Sequence, residues 1–146
     1  MIKKTTKQFC ADTESLKKIY KWTSDWCQAT RLKKNILDAL LLSVYEAASN
    51  QVEHGFKNIE GHGYFTVTLV RSPKAAIALF EDNDQPFDIN SIPTPDLSVS
   101  IKNRKIGGLG VHFVKSVMDK VYSRRKKDFS NQLVMIKYMH PIGQTI

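Results

Sequence analysis

The sequence predicts an α/β sandwich with a mostly antiparallel sheet, and three observations carry that expectation. Residues 37–52 place Leu37, Leu40, Leu41, Val44, Tyr45 and Ala48 at helical spacing, the mark of a helix with one apolar face. Residues 64–71 alternate instead, Phe65, Val67 and Leu69 against Thr66 and Thr68, as a half-buried strand does. The elements then run strand, two helices, two strands, a long irregular stretch, helix, two strands. That order builds helices against a largely antiparallel sheet.

At 146 residues the chain has room for one domain, residues 1–146, and too little for two. A hydrophobic share of 42% and a charged share of 25% are those of a soluble globular protein, so a single core is expected. No apolar run approaches the roughly 20 residues of a membrane span. The basic start, Met1 to Lys7, lacks the apolar stretch of a secretion signal. Cys10 and Cys27 have neither metal-ligand nor framework spacing and read as reduced, partly buried thiols. A cytoplasmic protein without a membrane partner is expected. The net charge of +8 favours anionic partners: nucleic acid, nucleotide phosphates or an acidic protein. Aromatics are not interleaved with the basic runs, as a stacking platform for single strands needs, so nucleic acid is the least supported of these.

The first strand is expected over Thr5 to Cys10. Asp12 or Thr13 then caps a helix to about Cys27, burying Leu16, Ile19, Tyr20, Thr23 and Cys27. Trp22 and Trp26, four apart, suit core or interface anchors. The second helix covers Leu37 to Val52, and Gly55 with Gly61-His62-Gly63 marks loop. Tyr64 to Arg71 and Lys74 to Phe80, broken at Ser72-Pro73, form an antiparallel hairpin ending at Glu81-Asp82-Asn83-Asp84. Residues 85–106 hold three of the five prolines and little periodicity, the pattern of a binding loop or lid. Gly107-Gly108-Leu109-Gly110 opens a third helix, Val111 to about Lys120. Two strands close the chain, Val121 to Arg125 and Gln132 to Tyr138.

Three groups of residues suggest chemistry. Glu46, Asn50 and His54 sit four apart, one polar stripe down the second helix. A carboxylate one turn from a carboxamide pairs a base with a neutral oxygen ligand, which suits proton abstraction beside hydrated Mg²⁺. Asp82, at the end of a buried strand, can accept from a ligand's amino group. The glycines at 107, 108 and 110 precede a helix, so bare N–H groups and the helix N-terminus can hold phosphate oxygens.

In order and spacing these groups resemble the GHKL ATPases, the gyrase, chaperone, histidine kinase and mismatch-repair types. Glu46-Ala47-x-x-Asn50-x-x-Glu53-His54 is similar to their N box, Asp82 to Asp88 to their adenine box, and Gly107 to Val111 to their second glycine box. Pro86-Phe87-Asp88 and the glycines before Val114-Lys115-x-x-Met118-Asp119 look most like the anti-sigma factor serine kinases. The resemblance implies a two-layer sandwich with helices on one face of the sheet, ATP and Mg²⁺ as cofactors, and Glu46 as general base on a serine hydroxyl. It implies Asn50 on Mg²⁺ and Asp82 on the adenine amino group. Asp84, Phe87, Arg104, Lys105, Gly107, Gly108, Leu109 and Gly110 complete the implied nucleotide site, with Arg104 and Lys105 toward the γ-phosphate. The implied partners are a sigma factor and a serine-phosphorylated antagonist of the anti-sigma factor, with a possible homodimer.

One departure stands out. The family's adenine box usually has glycine where this chain has Asp84, which adds bulk and negative charge beside the base. It leaves a second expectation open, a regulatory module that captures protein partners with weak or no ATP binding and no kinase activity.

Overall fold

A computed structural model describes residues 1–55, 63–82, 108–125 and 131–140. Strand β1 spans Lys3–Cys10, followed by helices α1, Thr13–Ala29, and α2, Lys34–Asn50. Strands β2, Tyr64–Arg71, and β3, Ala75–Asp82, form the central hairpin. Helix α3 covers Gly108–Val117, and β4, Lys120–Arg125, and β5, Asn131–Tyr138, complete the fold. The five strands lie in the order β1-β2-β3-β5-β4, and every neighbouring pair is antiparallel. The expected sandwich is present.

Period-two alternation decides which face of the sheet is covered. Phe9 pairs with Phe65, Val67 with Phe80, and Leu69 with Ala78, which pairs with Met135. All of these are buried in one cluster with Ile19 and Cys27 of α1, Leu40, Val44 and Ala48 of α2, and Val114 of α3. The helices therefore share one face. Phe65 stacks on Phe80 with ring centroids 5.8 Å apart, and Phe9 meets Trp22 edge-on at 5.4 Å. Trp22 and Trp26 are partly buried anchors against this core, as expected.

Side-chain chemistry sets the boundaries. Asp12 caps α1, its Oδ1 accepting from the Ser15 N–H at 2.9 Å. At the other end the Arg31 N–H donates to the Gln28 carbonyl, and the Leu32 N–H to the Cys27 carbonyl, each at 3.0 Å. This is a Schellman cap, with Arg31 at φ 58 in the left-handed position that glycine usually takes. The β2–β3 turn is tied by Ser72, whose Oγ accepts from the N–H groups of Lys74 and Ala75. Asp119 ends α3, taking the Tyr138 N–H at 2.7 Å while its own N–H reaches the Ile136 carbonyl.

Several expectations are corrected. Tyr20 and Tyr45 are 50% and 37% exposed rather than core, and pack edge-on against each other on the outside of α1 and α2. Helix α2 begins at Lys34 and stops at Asn50. Strand β3 runs on through Asp82, because Asp82 still pairs with Asn131. Helix α3 starts at Gly108, so Gly108, Leu109 and Gly110 lie within its first turn, and it ends at Val117 where Asp119 diverts the chain. No helix among the described residues is long and apolar enough to cross a membrane.

Candidate functional site

The site is built where the C-terminal end of α2 meets the end of β3. Helix α2 buries Ile36, Leu40, Val44, Ala47 and Ala48, which fixes its rotation and leaves Glu46 half-buried at its margin. Asn50, one turn on, is 8% exposed. After Asn50 the backbone widens into a single π turn, Gln51–Gly55. Such turns wind through more residues per turn than an α-helix. The side chain of His54, the third member of the expected stripe, lies outside the described residues.

The widened turn brings Gln51 to the sheet. Asp82 is the last residue of β3, on the same face as Phe80 and so toward the helices, and only 9% exposed. Its Oδ2 accepts from Gln51 Nε2 at 2.8 Å and its Oδ1 from Asn131 Nδ2 at 3.1 Å. A carboxylate accepts and does not donate, so Gln51 must present its nitrogen. The Gln51 Oε1 atom is left buried, with no hydrogen-bond partner among the described residues. An unmet buried acceptor costs about 1–3 kcal/mol. On the outer face the polar row continues, Arg124 Nε donating to Gln132 Oε1 and Gln132 Nε2 to Glu81 Oε1.

Burial pushes the Glu46 carboxyl above its ordinary value, and the charge of Glu53, two turns along, adds to the shift. A base whose proton affinity is raised toward neutrality is better matched to taking a proton from a hydroxyl. Cys27 is pushed up to about 12 by burial, which leaves it inert as a nucleophile.

Of the residues the sequence singled out, Glu46 and Asn50 share one turn of α2, and Asp82 joins them through Gln51. Gly108, Leu109 and Gly110 open α3, which packs beside α2. Asp84, Phe87, Arg104, Lys105 and Gly107 lie outside the described residues, as does the expected lid over 85–106. Gln51 and Asn131 were missed. Gln51 stands inside the Glu46–His54 motif at a position without an assigned task, and the Asp82–Asn131 pairing depends on β5 inserting beside β3, which local sequence does not encode.

The sequence profile of the histidine kinase-like ATPase domain matches residues 9–137. The chain belongs to this family. Within the GHKL superfamily it falls with the anti-sigma factor kinases. It is 31% identical over 109 residues to the serine-protein kinase RsbW of Listeria monocytogenes serovar 1/2a, covering 71% of this chain and 67% of that protein. The RsbW of serotype 4a of the same species is 30% identical over the same length. Among solved structures, the RsbU and RsbW domains of Rv1364c from Mycobacterium tuberculosis superpose with a TM-score of 0.59, covering 92% of this chain. At 9% identity that likeness concerns the fold, and the chain spans 32% of the larger protein. The histidine kinase-like fold thus accounts for the sheet order, the one-sided helices and the placing of Asp82 beneath the end of α2.

Proposed function

We propose that this chain is an ATP-dependent serine/threonine-protein kinase that phosphorylates an anti-sigma factor antagonist on serine and sequesters a sigma factor. The observation that carries the reading is the buried Asp82 carboxylate, tied on both oxygens and set below the helix that bears Glu46 and Asn50, in a chain of an ATPase family. Similarity to serine-protein kinases directs it toward protein phosphorylation.

Asp82 accepts from the exocyclic amino group of adenine, since a buried, acceptor-only group selects a donor. The N-terminus of α3 receives phosphate oxygens. Asn50 offers a neutral oxygen, and among the described residues no three acidic, His or Cys side chains form a cage of their own. Such a sparse set suits Mg²⁺, which takes its other ligands from phosphates and water. When bound, that ion neutralises charge on the phosphate chain. Glu46 takes the proton from the partner's serine hydroxyl as its Oγ bonds to the γ-phosphorus. The bond from that phosphorus to the bridging oxygen breaks, and ADP leaves.

Titration calorimetry with ATP and ADP, with and without Mg²⁺, tests the reading. Micromolar, Mg²⁺-dependent binding that Asp82→Asn abolishes is expected. Absence of binding would make the chain a partner-capturing module instead, with Asp84 the first residue to restore to glycine.

A further inference from the structure

At the pole of the sheet opposite Asp82 lies a cavity of about 330 Å³ lined by Met1, Lys3, Thr30, Arg31, Arg71, Ser72 and Pro73. The two poles are six residues apart along β3, from Ala76 beside Arg71 to Asp82, or about 20 Å at 3.4 Å per residue. Three of the seven lining residues are cations and none is acidic.

Two further features of the cavity wall cost stability, and a bound anion would offset the first. Lys3 and Arg71 are direct cross-strand partners, and like charges so placed repel. Both fall on the helix-facing side of the sheet, the side of Phe9 and Leu69, so they cannot both turn away to the outer face. Arg31 occupies the left-handed C′ position of α1 at φ 58, where glycine is the usual residue because it has no Cβ. The chain instead keeps a side chain there, a guanidinium at the cavity wall. Among the described residues no ion pair neutralises any of the three.

We propose that this cavity binds the phosphate group of a small phosphorylated ligand. Arg31 and Arg71 supply planar forks that match phosphate oxygens, and Lys3 adds a point charge. Met1 and Pro73 give the apolar wall that an organic remainder would lie against. The site is separate from the nucleotide site proposed above and does not depend on it.

Titration of the full chain with inorganic pyrophosphate at low salt tests the assignment, with inorganic phosphate as the single-group comparison. Saturable pyrophosphate binding is expected, weakened about tenfold or more by Arg31→Gly and by Arg71→Gln, as for loss of a charge-assisted hydrogen bond. Arg31→Gly relieves the left-handed strain, so the melting temperature without ligand should rise while the anion's stabilising shift is lost. Thus a lost fold cannot be mistaken for a lost site. Pyrophosphate binding equal in wild type and both cationic variants would overturn the proposal, as would no binding to the wild type.

Discussion

Glu46 and Gln51 make opposite demands on the same helix end. Folding favours the protonated form of Glu46, because its proton affinity is raised by burial and by Glu53. Its carboxylate therefore weakens the fold at pH above the shifted value, and that cost fades as the pH falls and the group is protonated in both states. Glu46→Gln should accordingly melt higher than wild type at pH 8, with the difference shrinking toward pH 4. In kinase assays the same variant should keep nucleotide affinity and lose phosphoryl transfer. With a transfer assay in hand, Glu53→Gln should move the acid limb of the wild-type rate profile to lower pH. Gln51 acts through Asp82. Gln51→Met removes a donor to a carboxylate, worth about 1.5–3 kcal/mol, but also removes a buried acceptor with no partner, a cost of about 1–3 kcal/mol. The two nearly cancel, so the melting temperature should hold while ATP affinity, read by calorimetry, falls about tenfold. Equal affinity in Gln51→Met would detach Gln51 from the base-binding carboxylate.

The elements differ in how openly the sequence declares them. Strand β2 and the apolar face of α2 follow from spacing alone, since periods of 2 and 3.6 residues are direct images of strand and helix geometry. Asp12 was legible as a cap for the same local reason, and Asp12→Ala should cost about 1 kcal/mol, seen as a drop of a few degrees in melting temperature. What stayed hidden was non-local or a matter of degree. Tyr20 and Tyr45 carry helical spacing but settle against each other outside the core, a choice made by packing rather than pattern. The π turn at Gln51–Gly55 has no periodic signature. Glu46, Asn50 and Asp82 were found because their types and order resemble a motif. Gln51 and Asn131 escaped because their work is to hold Asp82 across the gap between helix, strand and strand.

Across the molecule the core is one continuous layer between three helices and one sheet face, and it shields chemistry unevenly. Cys27 is fully buried and its thiol is pushed up to about 12, whereas Cys10 is partly exposed. A thiol reagent at pH 8 should label one cysteine of the native protein and two after denaturation; rapid labelling of Cys27 in the native state would contradict the packing. Strand order has a further consequence, for synthesis on the ribosome. The last of the described strands in chain order, β5, lies between β3 and β4 and brings Asn131 to Asp82. Everything needed for β1, β2 and β3 to pair exists earlier, yet β3 keeps an open edge until β5 emerges. Until β5 emerges, Asp82 has the tie from Gln51 but not the one from Asn131, so the carboxylate is held on both oxygens only once β5 has joined the sheet.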